Sequence, residues 1–435
     1  MLAQVECSVL FSLLKCPNSG AGGWPPLPFL GVLVPPDLVA VHAAFAGPAD
    51  VVAERRSLYR LAAELVGTAQ PVPDNVLDSP LVRYRLGGAL SGQVDLLHHD
   101  LAVDRDAVGK TACAGVPVVV DPAAQVALAD LLRIIGPVEG LRLVTMTDDV
   151  LDVVRSGVRL VREVGGALAE DLLAHVDLLA VVDPATTGGL VSASSRYFPG
   201  IVVIERPSTA IEVAEALIHE GAHEKFFDLA ITRRFFDVKS DQVDDFTPSW
   251  SRAKWSFEQV FAAWHAYLCL AQFAHDVDGV PVGPRSLLPL AAERAVEIGK
   301  WLRYHESSLL ADARWMVDSL HVDGLAVQAV DFVPPVPFEP AGAFVMNPQV
   351  RSSAVLPTGR RVAGWSGPPI EMFWLECDSA AVLDLFAEHV EGLSVRDAVV
   401  ASSASWNVDV GAGLARFSAV FRSLVADRLV VPASS

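Results

Sequence analysis

Two histidines four residues apart, with a glutamate beside the first, stand in the stretch AEALIHEGAHEKFFDL (214–229). On a helix, positions i and i+4 share a face about one turn apart, so the imidazoles of His219 and His223 can grip one cation. Glu220 projects to the side, where its carboxylate can reach a metal-bound water. That geometry underlies the H-E-x-x-H spacing of zinc hydrolases. The pattern is short, and its plain alternative is an ordinary charged helix. The approach AIEVAEALI (210–218) tips the balance, because burying two histidines and a glutamate without a partner is costly. A metal needs a third protein ligand. His265, in the middle of the next long helix in FAAWHAYL, is the first candidate, and its plain alternative is a hydrogen-bonded core histidine. Glu258, two turns earlier, is the reserve. His275, His305 and His321 lie near helix ends, and His42, His175 and His389 read as structural or surface groups. His98 and His99 are adjacent and so point in different directions on either a helix or a strand.

The elements that must position these groups are partly legible. GIVVIE (200–205) is short and β-branched and predicts a strand. Pro207 and the capping box Thr209-Ala210-Ile211-Glu212 start the histidine helix near residue 210. SFEQVFAAWHAYLCLAQFAHDV (256–277) predicts a second long helix and residues 291–320 a third, with a kink. Upstream, residues 147–182 carry apolar residues at intervals of three and four, which predicts two helices broken near Gly165-Gly166. Farther back, 57–67 is helical in period and VPVVVD (116–121) strand-like. FVPPVPFEPAG (332–342) reads as an extended, semi-rigid linker. Beyond it, RVAGW and EMFWLE predict strands, followed by three helices and a short final strand. The class is α+β, mainly helical, in three parts: an α/β region of unassigned role (1–135), a metal-binding catalytic domain (136–335) and a C-terminal domain (350–435).

Composition narrows the function classes. With 435 residues the chain exceeds one ordinary core. A formal net charge of −19 disfavours sequence-independent binding to nucleic acid. The five cysteines are scattered, never in C-x-x-C, and read as free thiols of a reducing cytosol. Glu6 stands where a signal peptide would be basic, and no uncharged, proline-free apolar run reaches membrane-spanning length. A cytoplasmic protein is expected, with no membrane partner.

The run GLVSASSRYFPGIVVIERPSTAIEVAEALIHEGAHEKFFDLAI (189–231), followed by FTPSWSRAKWSFEQVFAAWHAYLCLAQF (246–273), resembles the HExxH-motif proteins found beside bacterial clusters for ribosomally made peptides. A proline-glycine strand leads into the motif helix, then a loop with tryptophan and arginine, then an apolar helix. The resemblance covers about residues 140–275. It implies an iron(II) and 2-oxoglutarate-dependent oxygenase that β-hydroxylates a residue of a precursor peptide. The family's later-helix histidine aligns with Ala262, and His265 lies one turn on, on a shared face. The family's Trp-Arg pair corresponds to Trp250-Ser251-Arg252. The far carboxylate of 2-oxoglutarate calls for a cation, best an arginine fork. Arg252 is the first choice, with Lys254 and Arg196 behind it. The tail, with VEGLSVRDAVVASSASWNVDV (390–410), is similar to a winged-helix peptide-binding domain, the recognition element of such clusters. That likeness implies leader-peptide binding by strand addition. A generic winged helix or a homodimerisation unit is the alternative.

Two other readings stand beside the oxygenase. One is a zinc metallopeptidase in which Glu220 activates the water; against it, the longer H-E-x-x-H-x-x-G-x-x-H signature is missing. The other is a non-catalytic peptide-binding scaffold.

Overall fold

The computed structural model describes residues 38–433 apart from 46, 69–70, 95–99, 137–139, 234, 252, 278, 321–341 and 366–369. The adjacent pair His98-His99, His321, Arg252 and all but the last residue of the proline-rich stretch lie outside them. Helices α1 (Leu38–Phe45) and α2 (Pro48–Leu65) come first. After several short helices a hairpin, β1 (Lys110–Cys113) and β2 (Val116–Val119), precedes the long helix α3 (Asp148–Leu173). Strands β3 (Leu178–Val182), β4 (Ser192–Ala193) and β5 (Ile201–Glu205) follow. Then come α4 (Ala210–Thr232), α5 (Phe257–Asp276) and α6 (Ala291–Tyr304).

The five strands form one sheet in the order β1-β2-β3-β5-β4. β3 and β5 are parallel, Leu178 opposite Ile201 through Val182 opposite Glu205, and β4 runs antiparallel to β5 at the edge. Alternation divides their side chains between two cores. Leu179, Val181, Val202 and Ile204 face α3, α4 and α5, and Leu178, Ala180, Ile201 and Val203 face the opposite layer. Burial on both faces explains why LLAVV is continuously apolar. The segment expected to prolong a helix to residue 182 is therefore a strand, since a short apolar run does not distinguish the two. The break expected at Gly165-Gly166 is present: Gly166 has φ 51° and ψ −128° inside α3. The helix expected over 291–320 ends at Tyr304, and a second one spans Ala311–Ser319.

β2 pairs with β3, and Leu38 and Val51 share a core with α3, α4 and α5. The division expected at residue 135 thus does not separate two cores. The C-terminal unit starts earlier than residue 350, with β6 (Ala343–Met346). It continues through β7 (Val350–Ser352), β8 (Arg361–Trp365), β9 (Glu371–Leu375), α7 (Cys377–Glu388), β10 (Leu393–Ser394), α8 (Val395–Ser405), α9 (Val410–Ala426) and β11 (Val430–Pro432). Two three-stranded sheets, β10-β6-β11 and β7-β8-β9, flank its own core. It docks on α2, where Leu58, Leu61 and Leu65 meet Val362 and the buried Glu54 accepts a 2.7 Å bond from Arg360. Among the described residues no helix is long and apolar enough to cross a membrane.

α3 backs α4 closely, and Gly157 permits the approach. A Cβ there would stand 2.4 Å from Val213 Cβ and 2.8 Å from the Ala210 carbonyl oxygen. Alanine would gain up to about 1 kcal/mol of helix propensity. It would lose about 1–3 kcal/mol to overpacking against backbone that cannot yield. Gly157→Ala is expected to lower stability, measurable by chemical denaturation; a stabilised variant would show that the two helices can part freely.

Candidate metal centre

Every residue of α4 from Ala216 to Leu229 is buried. The helix begins where expected: Thr209 Oγ1 accepts from Glu212 N at 3.4 Å, while Glu212 reaches back to Ser208 N at 2.7 Å. Six titratable side chains sit in the buried stretch, so each needs a partner. Lys225 bonds Asp171 at 2.5 Å. Asp228 accepts from Arg55 at 2.7 Å and His175 at 2.6 Å. Glu224 accepts from Gly200 N at 2.6 Å, and burial pushes its pKa well up. Glu220 accepts from Ser192 Oγ and Ser194 Oγ, each at 2.7 Å.

Among the described residues His219 and His223 hydrogen-bond only to each other. Their Nε2 atoms lie 3.2 Å apart, the rings perpendicular at 83°, and both Nδ1 atoms lack a partner among the described residues. Two imidazoles on one ion at about 2.0–2.1 Å place their nitrogens about 3.0 Å apart at a right angle and about 3.4 Å apart at the tetrahedral angle. The observed separation falls between these limits. Burial lowers both pKa values, His223 the further, with the neighbouring charges of His219 and His265 adding to it. Neutral imidazole is the form that ligates. Glu220 Oε1 stands 4.0 Å from His219 Nε2, where it can take a proton from a ligand of that ion.

His265 does not join this pair. Its Nδ1 bonds the Ala222 carbonyl oxygen at 3.1 Å, and its Nε2 faces His42 Nε2 at 2.9 Å. His42 Nδ1 in turn bonds Asp171 at 2.7 Å. With both Nδ1 protons directed at oxygens, the two Nε2 lone pairs meet, so a shared proton or a metal ion must stand between them. Cys269 makes this a group of three donors within 4.8 Å of one another, all buried. The expected third ligand thus belongs to a second polar cluster, and its partner comes from α1, 223 residues away. His265→Ala is expected to cost about 2–4 kcal/mol, from the cavity and the orphaned His42, yet to keep the metal that His219→Ala releases. Metal analysis beside a denaturation curve checks this; equal metal loss in both variants would return His265 to the ligand set.

Neither Glu258 nor Arg196 is hydrogen-bonded to the histidine pair among the described residues. Glu258 is ion-paired with Arg196, which also stacks on Tyr197 at 5.3 Å. Both side chains are about one-third exposed and line one cleft. Lys254 is exposed on the loop before α5. Ala262, where the resemblance places a histidine, is fully buried and offers no donor.

One cleft reaches His219, and a second is lined by residues that include Ser194, a partner of Glu220. The first, of about 870 Å³ with its mouth, is lined by Ser192, His219, Glu215 and Arg285. The other, of about 1090 Å³, is lined by Ser194, Arg196, Phe227 and Ala262. Both serines come from or adjoin the edge strand β4, so Glu220 accepts a bond from one serine of each cleft. Sequence reasoning passed over Ser192 and Ser194, although the alternation in VSAS was a signal. It also passed over Tyr267, whose ring lies 5.8 Å from His219, and Arg294, which bonds the Tyr267 hydroxyl at 3.0 Å. Arg294 interrupts the apolar stripe Ala291, Ala295, Ile298, Leu302 of α6, and that interruption was visible in the sequence. Comparison with protein-family models returns no match, and comparison with curated proteins returns none either.

Proposed function

We propose that the chain is a metal-dependent oxygenase acting on an extended peptide, with iron(II) held by His219 and His223 and 2-oxoglutarate as co-substrate. The observation that carries this reading is the buried histidine pair at ligand spacing, hydrogen-bonded among the described residues only to each other, in a helix whose other buried titratable side chains each hold at least one hydrogen bond to another element. The donor set fits: two imidazoles, with no third donor at Ala262, leave coordination positions for a 2-oxo acid and oxygen. When bound, iron with 2-oxoglutarate supplies oxidation of an unactivated C–H bond, the co-substrate leaving as succinate and carbon dioxide.

The chain's own residues do the rest. Ser192 and Ser194 hold both Glu220 oxygens, which fixes the carboxylate beside the pair as a positioning or proton-accepting group. The outer edge of β4 pairs with no other described strand. It offers backbone groups to an extended peptide, whose flanks would occupy the two clefts. We further propose that the C-terminal unit, winged-helix-like in its order of strands and three helices, binds a leader segment on an edge of β7-β8-β9. One observation favours a second reading, a zinc peptidase. Glu220 is placed to deprotonate a metal-bound water, and amide hydrolysis needs no co-substrate.

The deciding experiment incubates the iron-loaded chain with 2-oxoglutarate, oxygen and a precursor peptide encoded beside its gene. Succinate with an oxygen atom added to the peptide supports the oxygenase. No succinate, but cleavage by the zinc-loaded chain, replaces it with the peptidase.

A further inference from the structure

Among the described residues six lysine and arginine side chains are buried: Arg55, Arg83, Lys225, Arg294, Arg360 and Arg361. Five carry a carboxylate: Asp228 for Arg55, Asp177 for Arg83, Asp171 for Lys225, Glu54 for Arg360 and Asp384 for Arg361. Arg294, 6% exposed, has none among the described residues. An unpaired buried guanidinium is costly in any protein, and this chain has 52 acidic side chains against 33 basic ones from which to supply a partner. The Arg294 guanidinium carbon lies over the Trp250 ring, 5.0 Å from its centre, and 5.4 Å from the centre of the Tyr267 ring, which is set at 82° to Trp250. Stacking of this kind leaves the in-plane donors free. One is spent on the Tyr267 oxygen, and Nε has no acceptor. The Tyr267 hydroxyl accepts that bond and has its own proton still to give. Two unspent donors therefore lie one aromatic ring away from His219.

We propose that Arg294 and Tyr267 form a carboxylate-binding site serving the His219–His223 centre. A carboxylate takes the guanidinium edge side-on and the phenol proton, a planar match that an ammonium does not reproduce. Two sources carry this chemistry: the far carboxylate of 2-oxoglutarate, and the C-terminal carboxylate of a peptide. The inference rests on the histidine pair being the reactive centre, but it is read by binding and needs no turnover.

The test is calorimetric, on the full zinc-loaded chain, with 2-oxoglutarate in one arm and a peptide with a free or amidated C-terminus in the other. One carboxylate is expected to bind. Arg294→Gln should weaken it roughly 10- to 150-fold with metal content unchanged, as loss of a charged hydrogen bond does. Arg294→Lys should recover only part of that loss. Should the glutamine variant fail to fold, Tyr267→Phe, which removes one neutral bond, should weaken the same ligand roughly 2- to 12-fold. Binding of the free-acid peptide through Arg294, with no binding of 2-oxoglutarate, upholds this site and overturns the oxygenase reading. Binding of 2-oxoglutarate that no Arg294 or Tyr267 variant alters does the reverse. If neither carboxylate binds the wild type, the site is refuted.

Discussion

Replacing His223 by alanine is expected to leave the protein folded and to weaken metal binding at the α4 pair by more than about 100-fold, with His219→Ala doing the same. Losing a partner that merely orients a ligand already costs roughly 10- to 100-fold, and losing one of only two imidazoles costs more. The protein should tolerate the change, because neither ring holds another element by hydrogen bond. Each Nδ1 is unpartnered among the described residues, where the single bond lost is the one between the two rings. Removing the imidazole also removes a buried polar group, which offsets part of the cavity cost. Metal content after equilibration with iron(II) or zinc, set beside the wild-type unfolding curve, is the measurement. Full occupancy in a folded variant would place the centre elsewhere, with His42, His265 and Cys269 as the group to test next.

Asp228→Ala should have the opposite profile, leaving the metal pair untouched but removing about 3–5 kcal/mol of stability. Asp228 lies near the end of α4, and its Oδ2 accepts from both Arg55 of α2 and His175 between α3 and β3. The alanine variant strands a guanidinium and an imidazole in the core, with Asp177 3.5 Å from Arg55 as the remaining anion. The same group predicts an acid transition. Burial alone would raise the Asp228 pKa, but Arg55 and His175 outweigh it and hold it at about 2. Asp171 is likewise held at about 2 by His42 and Lys225 against the effect of burial. Both folded values lie below the ordinary 3.8 of an unfolded aspartate. Their stabilisation is therefore present in full above about pH 4 and is lost as pH falls toward 2, at about 2 kcal/mol per group. A denaturation series from pH 5 to about 2 should show that decline in the wild type and a shallower one in Asp228→Asn, whose starting stability is lower. Parallel declines would mean that Asp228 is not held ionised by its partners.

Local signals decided much of this protein before any tertiary contact formed. Thr209 and Glu212 end the chain's extended run and start α4, and the 3.6-residue period then puts His219 and His223 on one face whatever surrounds them. The β-branched run at Ile201–Glu205 and the glycine break in α3 are local in the same sense. Partner choice is not. His265 has the residue type and the helix expected of a ligand, but which way its ring points depends on His42, which α1 brings against α5. LLAVV became a strand because a sheet neighbour and two cores were available on either side. Arg294 marks itself in sequence only as a charge on an apolar stripe. That it stands without a carboxylate among the described residues, over Trp250 and bonded to Tyr267 beside His219, was decided where α5, α6 and the loop before α5 meet. Chain geometry sets which residues share a face, and the long-range packing of faces sets which groups are left with bonds to give.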